Sequence, residues 1–88
     1  MNSYEVFIKN SAKKDLKKIK QSHLIDNFNE IVQVLKEDPF APTQSFEKLQ
    51  PKSAGLYSRR INQQHRVVYK VDENEHRVEI YSAWTHYE

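Results

Sequence analysis

Apolar and polar residues alternate at the start of the chain. Tyr4, Val6 and Ile8 fall on one side of an extended segment and Glu5 and Phe7 on the other, the period of two that marks a strand. The period then changes. Ala12, Leu16 and Ile19 repeat at i, i+4 and i+7 with lysines between them, which predicts an amphipathic helix. Ser11 stands where a hydroxyl can cap the first backbone N–H groups of that helix. A second helical stripe follows, with Leu24, Phe28, Ile31 and Leu35 at i, i+4, i+7 and i+11 and Val32 widening it. Ser22 is placed to open it, and Asp38-Pro39 to stop it, because a residue before proline avoids the helical region. The simplest arrangement is two antiparallel helices joined by a short turn near Gln21.

Residues 40–52 are polar, contain Pro42 and Pro51, and read as a connector with a short extended piece at Phe46-Glu47-Lys48-Leu49. Gly55, the only glycine, marks a turn. Three strands are then predicted, over residues 56–62, 65–71 and 76–84. In the second, Val67, Tyr69 and Val71 oppose Arg66, Val68 and Lys70. In the third, Val78, Ile80 and Ser82 oppose Glu79, Tyr81 and Ala83. Asn62-Gln63-Gln64 and Asp72-Glu73-Asn74-Glu75 are short enough for hairpin turns. The predicted order is β-α-α-β-β-β. That is an α+β fold in which two N-terminal helices pack on one face of a small twisted antiparallel sheet and leave the other face partly open. The 88 residues contain no repeat or linker and are expected to form one domain over 1–88. A chain this short buries only about 60–65 % of its unfolded surface, so a large partner or a second copy would help to complete a site.

Composition removes several classes of chemistry. With no cysteine, disulfides and thiolate metal sites are excluded, which fits a reducing cytoplasm. The first twenty residues carry no apolar run of signal-peptide or membrane-spanning length, so a cytoplasmic location without a membrane partner is expected. One glycine cannot build a glycine-rich phosphate loop. His23, His65, His76 and His86 are scattered, with no carboxylate at helical spacing, and no Ser-His-Asp pattern stands out; neither a metal nor a small-molecule cofactor is expected. The net charge of +2 is modest, but the charges segregate. Residues 9–20 hold six lysines and one acid, Asp15, and residues 48–70 hold six basic residues and no acid. Such blocks focus field toward a polyanion, or simply solvate exposed faces.

Two strand segments sharpen that choice. Ser58-Arg59-Arg60-Ile61 and His65-Arg66-Val67-Val68-Tyr69 lie on neighbouring strands. Successive residues point to opposite faces, so Arg59 and Arg60 part, and Arg60 shares a face with Ser58 and Asn62. A short hairpin brings Arg66 beside Arg60. Two adjacent guanidiniums make most sense around a phosphate, which each can grip by a forked pair of bonds; a solvated strand face or pairing with Glu79 is the alternative. The chain ends Trp84-Thr85-His86-Tyr87-Glu88. Histidine delivers protons near neutral pH and tyrosine stacks on bases, although Trp84 plugging the core with His86 and Tyr87 as decoration gives the same pattern.

Taken in order, Pro39-Phe40, Phe46-Glu47-Lys48-Leu49, Tyr57-Ser58-Arg59-Arg60-Ile61, His65-Arg66-Val67-Val68-Tyr69 and terminal His86-Tyr87 resemble the YoeB toxins of bacterial toxin–antitoxin pairs, within the RelE/ParE superfamily. The resemblance covers essentially the whole chain. It implies an antiparallel sheet with two N-terminal helices and metal-independent cleavage of messenger RNA in the ribosomal A site. It also implies neutralisation by a YefM-type antitoxin and a homodimer. Residue by residue, it implies Glu47 as general base, Arg66 as the transition-state arginine and Arg60 as a second phosphate binder. His86 would be the general acid and Tyr87 the tyrosine that orders substrate. Ser58, Arg59 and Lys48 complete the expected substrate-binding set. Two departures stand out: Glu88 follows the His-Tyr pair, and Gln50 sits where some relatives have lysine. A ParE-like gyrase inhibitor and a non-catalytic RNA-binding module are the competing readings.

Overall fold

A computed structural model of the chain describes residues 3–85. The elements run β1 (Glu5–Ile8), α1 (Asn10–Gln21), α2 (Ile25–Glu37), β2 (Glu47–Lys48), a 3-10 turn (Lys52–Ala54), β3 (Leu56–Arg60), β4 (Arg66–Asp72) and β5 (Arg77–Thr85). The five strands form one sheet in the order β1-β5-β4-β3-β2. Two helices on a sheet is the α+β arrangement expected from the sequence. Two details differ from it. The Glu47–Lys48 piece is a strand in its own right, and β1 lies parallel to β5, which makes the sheet mixed. Parallel neighbours need a long crossover, and the chain between β1 and β5 supplies one through both helices.

Both apolar stripes reach the core as their spacing requires. Ala12 and Ile19 from α1 and Phe28, Ile31 and Leu35 from α2 are buried against Val67, Tyr69, Val78, Ile80 and Ala83 of the sheet. Each large aliphatic side chain so buried contributes roughly 1.5–3 kcal/mol. Helix α2 stops where proline dictates, with Asp38 extended (φ −156°, ψ 95°) before Pro39. Its start is later than the sequence suggests, at Ile25 rather than Ser22, because His23 turns the chain through the left-handed region (φ 59°).

Ser11 is not a cap. It lies inside the first turn of α1, and its hydroxyl donates to the Tyr81 carbonyl at 2.8 Å. The reason is on β5. Its pairing with β4 slips from Tyr69↔Ile80 to Val68↔Ser82 and then to Arg66↔Thr85, one extra β5 residue at each step. These bulges break the alternation, so Ala83 turns into the core while Ser82 is half-buried, the reverse of the sequence expectation. Helix α1 takes up backbone groups of the irregular stretch, with Asp15 Oδ2 accepting from the Ala83 N–H at 3.0 Å. Ser11 and Asp15 are one helical turn apart, about 6 Å, and Tyr81 and Ala83 are two strand residues apart, about 6.7 Å. Helix α1 therefore runs beside β5 in the same direction, toward Thr85. No helix of the described residues is long and apolar enough to cross a membrane.

Replacing Asp15 by Ala removes the acceptor for a half-buried backbone N–H at the bulge. The expected cost is about 1–2 kcal/mol, a fall in Tm of roughly 5–10 °C for a chain of this size, with Asn recovering most of it. Thermal melts followed by circular dichroism measure both; an unchanged Tm in the Ala variant overturns the assignment.

Candidate active site

Strand register assembles the charged residues. The β3–β4 hairpin sets Arg60 opposite Arg66, and β2 sets Glu47 opposite Ser58. Directly paired residues on antiparallel strands share a face. Glu47, Ser58, Arg60 and Arg66 therefore all belong to the face away from the helices, on strands about 4.8 Å apart. Arg66 reaches diagonally toward the Glu47 row, its Nη1 donating to Ser58 Oγ at 3.0 Å. Glu47 and Arg60 are exposed and Arg66 is half-buried. Glu47 thus shares a face with Arg60 and Arg66, which are paired directly across β3 and β4. Arg66 also pairs with Thr85, the last described residue of β5. His86 and Tyr87, the expected acid and stacking groups, lie outside the described residues.

Three of the expected substrate contacts are placed differently. Arg59 is fully buried on the helix-side face. Its Nε donates to Tyr69 Oη at 3.0 Å, Nη1 to Thr43 O and Oγ1 at 2.8 and 3.3 Å, and Nη2 to Pro39 O and Ala41 O at 3.0 and 2.8 Å. Those five bonds match the five N–H groups of a guanidinium, so none is left for substrate. Arg59 is a strut, not an RNA contact. The signal was available in the sequence: Arg59 alternates in phase with Tyr57 and Ile61, both inward. Ser58 has no exposed surface and supports Arg66. Lys48 is paired with Tyr57 on the opposite face from Glu47, its ammonium 5.7 Å from the Tyr57 ring.

The strut holds the connector that leads into Glu47. Gln44 and Ser45 both adopt left-handed backbone (φ 56° and 54°), a conformation costing non-glycine residues about 1–3 kcal/mol each. The Arg60 N–H fixes the Gln44 carbonyl at 2.7 Å, and the Phe46 ring lies 4.8 Å from the Arg59 guanidinium carbon and stacks on Tyr57. Residue patterns gave no sign of the Gln44-Ser45 kink, since neither residue type demands it. Two surface clefts of about 420 and 470 Å³, at Phe7-Arg77 and at Lys70-Tyr81, include none of the site residues. Among the described residues no three His, Asp or Glu side chains cluster closely enough to hold a metal ion.

This fold has counterparts among known proteins. The family model for the YoeB-like toxin of bacterial type II toxin–antitoxin systems matches residues 4–87. The chain belongs to the YoeB-like toxin family. Among solved structures, a YoeB/ParE toxin from Agrobacterium tumefaciens is 28 % identical with a TM-score of 0.83, over 94 % of this chain and 99 % of that one. A YoeB dimer from Staphylococcus aureus is 30 % identical with a TM-score of 0.82, over 97 % and 99 %. A heterotetrameric YoeB–YefM complex from the same organism is 31 % identical with a TM-score of 0.77, over 96 % and 98 %. Among curated proteins, no sequence matches the chain. The YoeB-like match spans Glu47, Arg60, Arg66, His86 and Tyr87 together.

In this YoeB-like chain the Tyr69 phenol donates to the Pro39 carbonyl at 2.6 Å. Burial pushes its pKa up to about 12, against the opposing pull of the Arg59 charge and hydrogen bond. A pKa raised in the folded state gives stability that is complete below the ordinary value of 10.0 and is lost as pH rises through about 12. Ultraviolet titration should show one tyrosine ionising late and together with unfolding. Tyr69→Phe should remove that late step; its persistence in the variant overturns the assignment.

Proposed function

We propose that this YoeB-like toxin is a metal-independent endoribonuclease that cleaves messenger RNA in the ribosomal A site and so stops translation. The observation that carries the reading is the cross-strand set on the face away from the helices: Glu47 beside Ser58, and Arg66 beside both Ser58 and Arg60. RNA brings its own nucleophile. Glu47 takes the proton of the 2′-hydroxyl, whose oxygen then attacks the adjacent phosphorus. The bond to the 5′-oxygen breaks as His86 protonates that leaving group, and a 2′,3′-cyclic phosphate remains. Arg66 and Arg60 hold the charge that builds on the phosphoryl oxygens, and Tyr87 orders the substrate. Each positioned proton transfer contributes roughly 10²–10⁴-fold, and electrostatic clamping is of comparable size or larger.

The size of the chain supports ribosome dependence: 88 residues bury little surface, and the ribosome supplies alignment that so small a domain does not. Helix α1 adds to this: Lys13, Lys14, Lys17, Lys18 and Lys20 are all exposed, while Asp15, the one acid among them, is bonded to Ala83. A YefM-type antitoxin and self-association into a dimer are the proposed protein partners, supported by the solved YoeB–YefM complex and YoeB dimer. The cytoplasm, where ribosomes and messages are, is the proposed location.

Single-turnover cleavage on programmed ribosomes tests the scheme. Glu47→Gln and His86→Ala should each lower the rate at least about a hundredfold, and a chelator should leave it unchanged. Full cleavage by either variant sinks the acid–base assignment, and loss of activity with chelator sinks metal independence. Message left intact while expression provokes a DNA-damage response would select gyrase inhibition instead.

A further inference from the structure

We propose that Arg59 is a positioning residue for cleavage: its buried guanidinium sets where Glu47 stands. The inference rests on the reading of Glu47 as general base.

Strand β2 is two residues long and both are exposed, so it cannot hold its own place. Immediately before it, Gln44 and Ser45 turn through left-handed backbone that neither residue favours. Something must impose that path, and the atoms that do so belong to β3 and β4. Arg59 binds the carbonyls of Pro39, Ala41 and Thr43, three successive alternate residues of the connector. Tyr69 closes the circuit, accepting from Arg59 Nε and donating to Pro39 O. Phe46, the residue before Glu47, packs its ring against the same guanidinium. Arg60 adds its backbone N–H to Gln44 O. Neighbouring arginines thus divide the labour across the sheet: Arg59 fixes the connector from the core side, and Arg60 faces the phosphate site. A lysine at position 59 keeps the charge but has three donors on one nitrogen and cannot span three carbonyls and a phenol.

Arg59→Lys and Tyr69→Phe, each alone and combined with Glu47→Gln, make the test. Tyr69→Phe is the milder change and carries the experiment if Arg59→Lys does not fold. Two readouts are taken well below each variant's Tm: amide hydrogen exchange, and cleavage on programmed ribosomes at saturating and sub-saturating concentration. Exchange at residues 44–49 should rise while β4 and β5 amides keep their protection. The saturating rate should fall about ten- to a hundredfold with KM nearly unchanged, and adding either substitution to Glu47→Gln should cost nothing more. Wild-type exchange at residues 44–49 overturns the proposal. So does a wild-type rate, a change confined to KM, or a full additive loss on top of Glu47→Gln. A fully active Glu47→Gln overturns the reading of the base instead, and exchange then still decides whether Arg59 holds the connector.

Discussion

A buried guanidinium held by neutral oxygens is the constraint around which this molecule is organised. Arg59 sits with no exposed surface, and its N–H groups meet carbonyl, hydroxyl and phenol oxygens. Leaving such a charge with unmet donors costs about 3–5 kcal/mol, so the connector from Pro39 to Thr43 has to wrap around it. The wrap draws Phe40, Phe46, Tyr57 and Tyr69 into one aromatic group, with ring centroids 5.4–6.4 Å apart in successive pairs. Glu47 follows directly from that wrapped segment. A core interaction and a site position are therefore the same piece of chain.

The second constraint lies at the other side of the sheet. The bulges in β5 spoil a regular ladder, yet they are what allow Ala83 to enter the core and Thr85 to finish opposite Arg66. Helix α1 stabilises the irregularity with Ser11 and Asp15. Near the same end, His65 is buried and stacked on Trp84 with ring centroids 3.7 Å apart, which anchors the strand just before the terminal residues. The two irregular segments, the kink before β2 and the bulges of β5, each lead directly toward proposed catalytic residues, Glu47 and His86. Regular strands between them carry the arginines. Such departures from regular structure commonly gather where side chains must be aimed.

Strand pairing sets Glu47, Arg60 and Arg66 on one face of the sheet. The α1 lysines extend the basic character to the helix side of the sheet, toward the end where Arg66 and Thr85 pair.

The sequence by itself determined the elements and the chemistry on offer. Periods of 3.6 and 2 located both helices and the long strands, Asp38-Pro39 ended α2, and alternation alone required Arg59 and Arg60 to part. The ordered motifs from Phe46 to Tyr87 carried the family. These are local properties, fixed by spacing along the chain. Tertiary structure decided how the buried Arg59 is satisfied, because it needed a ring of carbonyls that only the folded connector provides. It decided that Ser11 serves β5 instead of its own helix, that β1 runs parallel to β5, and that Ala83 rather than Ser82 faces inward. Each of these depends on groups far apart in sequence, such as Asp15 and Ala83, whose meeting no local pattern encodes.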